Sequence, residues 1–190
     1  VLLWEKLDTA LRNAITTRER QVVQLDNVKV VFHLVGSPAS LIELKPEAVT
    51  VVMKVVTNGV LTLRRVFRGC YIMGNEVRYH KPVDGVTLEL WRDWYVNPAT
   101  GQRTPNKLYG GKLTGILVQS YCREIFMESL KVLQLSLSQH DNVTIIGQFH
   151  DEIVIDWRPD TTGHGISKDA LDLQMRLAMS SSSVTVMPMG

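Results

Sequence analysis

Short runs of β-branched and other apolar residues dominate the first half of the chain. The runs are residues 28–35, 50–56, 60–67 and 86–91. Such runs are typical of β-strands that are buried on one or both faces. Asn58-Gly59 joins the second run to the third, and Asn-Gly is a strong signal for a two-residue hairpin turn. The middle of the chain is therefore predicted to be an antiparallel, strand-rich subdomain.

Helical spacing of apolar residues marks three other stretches. They are residues 4–20, a long stretch from Leu113 to Leu137, and residues 168–179. Each is predicted to be a helix with one apolar face. The apolar stripe of the long helix is expected to lie on the hairpin that follows it.

Proline and glycine separate these segments. Residues 97–107 are predicted to form a linker, 159–166 a Pro/Gly loop, and the stretch from Ser37-Pro38 to Lys45-Pro46 another loop. Val184–Val186 is predicted to be a short closing strand.

Composition narrows the class of protein only a little. The chain has 190 residues, of which 45% are hydrophobic and 21% charged, with a net charge of +2. These values are ordinary for one globular domain and are compatible with nucleic-acid binding. Two cysteines are too few for a disulfide framework or a zinc site. No apolar run approaches the roughly 20 residues that span a bilayer, so no membrane partner is expected.

The stretch His150-Asp151-Glu152 carries the most chemistry. It lies between the apolar runs Val143–Ile146 and Ile153–Ile155, which are predicted to be buried strands. The connection from Gly147 to Glu152 is short enough for a hairpin, and the glycine suits its bend. Adjacent carboxylates repel each other, and a cation such as Mg²⁺ relieves that repulsion. The alternative is an ordinary acidic turn in water.

Two segments in the expected order resemble motifs of one enzyme family. Residues 148–154, Gln-Phe-His-Asp-Glu-Ile-Val, resemble the third catalytic motif of family A DNA polymerases, which include bacterial DNA polymerase I and many phage replicases. Residues 108–114, followed by Gln119 and Arg123, are similar to the Tyr-Gly-Gly-Lys-Leu segment of phage-type members. Residues 74–82 are similar to a strand-rich insertion in the same enzymes.

The resemblance implies an α+β fold with a polymerase palm-type antiparallel sheet, long helices and a strand-rich insertion. By that analogy residues 1–25 hold a helix that returns from the fingers region, 26–106 the insertion and linker, and 107–190 the palm portion with the hairpin. Two earlier family motifs, a strand-borne Asp and a fingers helix with Lys and Tyr-Gly, are not found. The chain is therefore expected to be the C-terminal part of a longer or split polymerase, with the N-terminal segment as partner and no polymerisation alone.

The implied activity is DNA-directed DNA synthesis in replication. A primer 3′-hydroxyl attacks the α-phosphate of a deoxynucleoside triphosphate on primer-template DNA, with two Mg²⁺ ions. By resemblance Asp151 is a metal ligand, Glu152 an auxiliary carboxylate, and His150 a hydrogen-bonding group near the primer terminus. The residue-level alternatives are a solvated turn for both acids and a bond to a backbone carbonyl for His150. The protein is expected to be phage or prophage encoded and to work in the host cytoplasm.

The same resemblance assigns DNA contacts to four residues. Gln119 would face the minor groove, where acceptors common to every base pair allow a check of pair geometry. Tyr109, Lys112 and Arg123 would contact template or primer phosphates beside Gly110-Gly111, where the backbone can approach closely. Ordinary exposed side chains on a helix are the alternative for all four.

Some features favour other interpretations. Gly115-Ile116 stands where the relatives usually have Glu-Asn, which puts the grip on DNA in doubt. One rival is a non-catalytic DNA-binding or assembly subunit derived from a palm, and another is an unrelated metal-dependent nuclease. A set of basic residues interleaved with aromatic ones is interpreted mainly as a solvated sheet face, with single-strand binding as the alternative. Its basic members are Arg64, Arg65, Arg68, Arg78 and Lys81.

Overall fold

The computed structural model describes residues 2–85, 87–149 and 152–180. Its helices are α1 (Leu3–Thr17), α2 (Ala39–Leu44), α3 (Gly110–Leu137) and α4 (Lys168–Ser180). Its strands are β1 (Gln21–Leu25), β2 (Val28–Val35), β3 (Val49–Thr57), β4 (Val60–Met73), β5 (Glu76–Pro82), β6 (Trp91–Arg92), β7 (Trp94–Val96), β8 (Arg103–Pro105), β9 (Lys107–Leu108), β10 (Val143–Phe149) and β11 (Glu152–Trp157). Helices combined with antiparallel sheets confirm the α+β class, and the palm assignment stays a prediction.

The described residues form two compact units. The boundary between them lies between Val118 and Gln119, inside α3. The three segments expected from the resemblance divide the chain by role rather than by contacts, and they stay a prediction.

The first unit is built on one antiparallel sheet. The strands lie in the order β1-β2-β3-β4-β5-β6, and β9 also pairs with β5. Alternate side chains of β2 and β3, such as Phe32 and Met53, point to one face and are fully buried. Helix α1 covers the sheet with its own buried stripe, which includes Leu7 and Leu11. The alternate buried residues of the strands and the buried stripe of the helix thus form one core.

The predicted hairpin turn between β3 and β4 is confirmed. Asn58 and Gly59 adopt φ values of 50° and 80°, which is the left-handed pair that a tight two-residue turn requires. The strands it joins are longer than expected, because β4 continues to Met73 through irregular pairing.

Three expectations for the first unit are wrong in detail. The predicted strand at 86–91 is a strand only at Trp91, and residue 86 lies outside the described residues. Here the Asp84 carboxylate accepts the backbone N–H of Thr87 at 2.9 Å, which favours a turn. The predicted loop at 37–46 contains the short helix α2, and the predicted linker at 97–107 contains β8 and the start of β9.

The second unit combines the end of α3, the β10–β11 hairpin and α4. Leu133 and Leu137 of α3 form a buried cluster with Val143, Leu171 and Ala178. The inward face of the hairpin packs against that cluster through Ile145, Ile153, Ile155 and Trp157. The prediction that the apolar stripe of α3 lies on the hairpin is confirmed for this part of the helix.

Candidate functional site

The β10–β11 hairpin is longer and tighter than its sequence predicts. Pairing continues to Phe149 opposite Glu152, so only two residues, His150 and Asp151, separate the paired ends in the sequence. Gly147 is not in the bend. It lies in β10 next to a register shift between Ile145 and Gly147, which is a β-bulge.

The bulge changes which side chains of β10 face the core. Before it, Ile145 pairs with Ile155, and both pack inward. After it, Gln148 pairs with the inward-facing Ile153. Phe149 therefore points outward, and its ring lies over Gly147, where an added Cβ would come within 3.0 Å of it.

Glu152 is the predicted acid whose position is described. It pairs with the outward-facing Phe149, and its side chain is exposed. It has no hydrogen bond or ion pair with any described residue. Asp156 on the same strand instead pairs with Arg158 at 3.1 Å. The free carboxylate of Glu152 is thus available to a cation at the tip of the hairpin.

The other two predicted residues of this site, His150 and Asp151, lie outside the described residues. Within residues 2–85, 87–149 and 152–180, no group of three or more His, Cys, Asp or Glu side chains is arranged to hold a metal ion. Asp151 lies outside these ranges, so the Asp151–Glu152 metal site stays a prediction.

Asn142 holds the base of the hairpin to the loop before α4. Its side-chain amide donates to the carbonyls of Arg158 at 2.7 Å and Ile166 at 2.9 Å, and its carbonyl Oδ1 accepts the N–H of Ile166 at 2.7 Å. Trp157 adds a fourth bond, from its indole N–H to the Ile166 carbonyl at 2.9 Å. These bonds fix where β10 begins and β11 ends, and therefore where the tip lies within this unit.

The start of α3 explains the first of the paired glycines. A Cβ on Gly110 would lie 1.9 Å from the carbonyl oxygen of Trp4 in α1, so only glycine fits there. Gly110 thus permits the close approach of α1, and the predicted contacts of this motif with DNA stay a prediction. The neighbouring Tyr109 is 56% exposed, so its phenol remains available to a ligand.

Lys112 is already engaged inside the first unit. Its ammonium group donates to the Tyr79 hydroxyl at 3.0 Å and to the Lys107 carbonyl at 3.3 Å, and it lies 4.9 Å from the centre of the Tyr79 ring. These contacts tie the first turn of α3 to β5 and β9. A structural role is thus visible, whereas the phosphate contact of Lys112 stays a prediction.

Gln119 and Arg123 lie one turn apart on α3 in the second unit. Both side chains are exposed, and neither has a hydrogen bond or ion pair with a residue whose position is described. Their spacing of four residues puts them on one face of the helix. They can therefore reach a common ligand, and their contact with DNA stays a prediction.

The basic set that the sequence suggests around β4 and β5 does not form one cluster. Arg64 and Arg65 point to opposite faces of the sheet, since their partners are Lys54 and the buried Met53. Arg78 pairs with Glu76 at 3.1 Å. The aromatic members are mostly internal, because Phe67 and Tyr79 are buried and meet edge to face at 5.7 Å. The rings of Phe67 and Tyr79 thus offer little surface for base stacking, whereas Tyr71, the third aromatic residue of the set, is half-buried.

A different basic surface has no counterpart among the predictions from the sequence. An open pocket on the sheet is lined by Arg20, Lys29, Val31, His33, Lys54 and Val56. The sequence does contain one indication of it. Lys29 and His33 lie on the same face of the predicted strand, and the residues on the other face are apolar. The cations come from separate strands, however, and only the strand register brings them together.

Comparison with known proteins identifies no relative. No protein-family model, curated protein or solved structure matches this chain. Among the described residues, no helix is long and apolar enough to cross a membrane.

Proposed function

We propose that this chain is the C-terminal palm part of a DNA-directed DNA polymerase similar to the phage-type members of family A. The observation that carries the proposal is the hairpin register. Phe149 pairs with Glu152, so the described residues on either side of the His-Asp dipeptide lie on two adjacent antiparallel strands. The Tyr-Gly-Gly-Lys segment likewise coincides with the beginning of α3, the long helix that precedes the hairpin. The described residues of each motif thus lie on or next to an element of the kind that the resemblance implies, which supports the proposal.

The proposed reaction joins a deoxynucleoside monophosphate to a primer. The primer 3′-hydroxyl attacks the α-phosphate, and pyrophosphate leaves. Asp151 would bind Mg²⁺ together with a carboxylate from an earlier segment of the polymerase, and Glu152 would assist through its exposed carboxylate. Bound Mg²⁺ supplies positive charge that stabilises the phosphate oxygens in the transition state.

The described residues fit a Mg²⁺ site in one respect. Mg²⁺ prefers carboxylate oxygens together with water, and it rarely needs a cage made only of protein groups. Glu152 offers an exposed carboxylate that no described cation neutralises. It is therefore free to bind an ion directly or through water.

Two further residues would hold the DNA rather than react. Gln119 would donate from its amide to minor-groove acceptors, and Arg123, one turn later, would contact a backbone phosphate. Primer-template DNA and deoxynucleoside triphosphates are the proposed partners, and the host cytoplasm is the proposed site of action of a phage or prophage protein.

The test is primer extension by the product of the natural reading frame that contains this chain. Asp151→Asn is compared with Asp156→Asn, which makes the same isosteric change on the same hairpin. We expect Asp151→Asn to lower extension at least about 1,000-fold, since it removes a metal-binding charge from the reacting centre, and Asp156→Asn to lower it less than about 3-fold. Unchanged extension by Asp151→Asn would show that the catalytic assignment is wrong.

A second candidate is a non-catalytic assembly subunit derived from a palm. It is favoured by the outward face of the hairpin, where Ile146 and Phe149 are 64% and 63% exposed. On this proposal an N-terminal polymerase segment covers that face, and Asp151 is a remnant. Ile146→Ser with Phe149→Ser would then abolish extension by preventing assembly, while Asp151→Asn would leave it intact. The opposite pair of results favours the catalytic palm.

A further inference from the structure

In the first unit, Phe32 and Met53 on one face of the sheet are fully buried, whereas the opposite face, the cationic face, carries several cations around the buried Val31 and Val52. On β2, Lys29, Val31 and His33 have the parity opposite to that of Phe32. The pocket on the cationic face has a volume of about 350 Å³ and is open to solvent. It is lined by Val31, Val56, Arg20, Lys29, His33 and Lys54.

Lys54 lies at the centre of this cationic face. Its neighbour across β4 is Arg64, which is directly opposite it in the register. Its neighbour across β2 is Val31, which is flanked along that strand by Lys29 and His33. Like charges directly opposite each other on adjacent strands destabilise a sheet unless an anion lies between them.

No described acid supplies that anion. None of Arg20, Lys29, His33, Lys54 and Arg64 makes an ion pair or a side-chain hydrogen bond with a described residue. Elsewhere in the same unit, cations do have acidic partners, such as Arg12 with Asp8 and Arg78 with Glu76. The cationic face is thus a local surplus of positive charge on a chain whose net charge is only +2.

The imidazole of His33 reports the same surplus. Its pKa is lowered, first by burial and then by the positive charges of Lys54, Arg20 and Arg64. Every charged group that acts on it is a cation. An anion bound at this face would therefore meet a positive potential from several sides.

We propose that this cationic face binds the phosphodiester backbone of a nucleic-acid strand. The cations run from Arg20, just before β1, across β2 and β3 to Arg64 on β4. Three inter-strand spacings give the row a length of about 14 Å, which suits consecutive phosphates better than one small anion. The pocket is lined by valines and cations with no Phe, Tyr or Trp, so the contacts are to phosphates rather than to stacked bases. Binding at this face does not depend on the polymerase proposal.

The test is fluorescence anisotropy of the whole chain with a short labelled DNA strand, without Mg²⁺ or nucleotides. Lys54→Gln with Arg64→Gln is compared with Lys6→Gln plus Arg65→Gln. Both variants lose two positive charges, but Lys6 is exposed on α1 and Arg65 points to the opposite face from Arg64. We expect about 20-fold weaker binding at 0.1 M salt for the first variant only. The slope of log K against log salt should become shallower by about 1.4, as two lost contacts to a single strand predict.

A second variant, Lys29→Gln with Lys54→Gln, repeats the test without Arg64 and should show a similar loss. Equal losses in the cationic-face variants and the control would mean that net charge alone attracts DNA, and would overturn the proposal. If inorganic phosphate displaces the labelled strand at an equal concentration of phosphate groups, the site binds free phosphate instead. Displacement by polyglutamate as effective as by unlabelled DNA would assign it to an acidic peptide. Weak competition by both supports the proposal.

Discussion

The hairpins β3–β4 and β10–β11 have similar sequences and different surroundings. The β3–β4 hairpin is flanked by β2 and β5 in a larger sheet, and Val51 and Met53 on it are fully buried. The β10–β11 hairpin forms a sheet of its own, with one face against helices and the other exposed. Both contain runs of β-branched residues.

The difference lies in what stabilises each hairpin. A two-stranded hairpin is marginal in water by itself, so β10–β11 depends on the side chains of α3 and α4 that cover its inward face. The β3–β4 hairpin is supported along both edges by further strands. Burial, rather than intrinsic strand preference, therefore separates the two, and substitutions at corresponding sites should have unequal effects.

The two cysteines should give the largest contrast between the units. Cys70 is buried in the sheet, its thiol donates to the Phe67 carbonyl at 3.3 Å, and burial raises its pKa, whereas Cys122 is exposed on α3. We expect a disulfide reagent to modify Cys122 at least about 1,000-fold faster than Cys70, since Cys70 reacts only after the sheet opens. Peptide mass spectrometry at successive times measures both rates. Similar rates would contradict a closed core under β4.

Matched valine truncations compare the hairpins directly. Val55 on β3 is 2% exposed and Val154 on β11 is 36% exposed. Val55→Ala should lower the free energy of unfolding by about 2 kcal/mol, through lost apolar burial and a small cavity, and Val154→Ala by less than about 1 kcal/mol. Denaturant titrations followed by circular dichroism measure both. A larger effect for Val154 would mean that the outward face of β10–β11 is covered in solution.

The anchor of the second hairpin is polar rather than apolar. Asn142→Ala removes the two donors and one acceptor that hold Arg158 and Ile166. A loss of about 1.5 kcal/mol is expected, since the part-buried N–H of Ile166 is left without a partner, whereas the Ile166 carbonyl keeps its bond from Trp157. Hydrogen exchange at Ile166 and along β11 should rise with it. The control is Gln139→Ala, which truncates an exposed amide three residues earlier and should change stability by less than about 0.5 kcal/mol.

Glycine-to-alanine substitutions distinguish a loss of stability caused by backbone strain from one caused by a steric clash. At Gly59 the φ of +80° disfavours any side chain although nothing lies within 4 Å, so Gly59→Ala should cost about 1 kcal/mol. At Gly147 the added Cβ would lie 3.0 Å from the ring of Phe149, which is exposed and free to move. Gly147→Ala should therefore change stability by less than about 0.5 kcal/mol. If Gly147→Ala proved costly, combining it with Phe149→Ala would show whether the ring is the cause.

The smallest effect concerns the cationic face. Lys54→Gln should raise the free energy of unfolding by about 0.5 kcal/mol at low salt, because it relieves repulsion from Arg64. The gain should vanish as added salt screens the charges. Thermal melts at low and high salt measure it, with Lys6→Gln as the control. A stabilisation that salt does not change would show that packing, and not charge, is responsible.

Much of the first unit could be predicted from local pattern. The run at 28–35 coincides with β2, and Asn58-Gly59 marks the turn between β3 and β4 because both residues tolerate the positive φ values found there. Strand β1 gave no such signal, because glutamine stands at two of its five positions and its turn uses Asp26 at a φ of 44° rather than glycine. The two- and three-residue strands β6 to β9 exist through their partners, and no local preference marks them.

The candidate site likewise has features that the sequence predicts and features that it does not. The hairpin that carries Glu152 follows from two apolar runs and a short connection. The bulge beside Gly147 does not, since it depends on which residues of β10 the helices can cover. The cationic face could not be predicted, because Lys29, Lys54 and Arg64 are far apart in sequence and meet only through strand register.

The bulge in β10 makes the hairpin tolerant of a change in chain length at one position. Deleting Ile146, the extra residue between the paired positions 145 and 147, would leave Gly147 opposite Val154, Gln148 opposite Ile153 and Phe149 opposite Glu152 in a regular ladder. Because side chains alternate along a regular strand, Gln148 would still face the helices and Phe149 would still face outward. A library of point substitutions would not reveal this tolerance. A single-codon deletion at position 146 would remove the bulge and keep the two faces of the strand where it approaches the His-Asp-Glu motif.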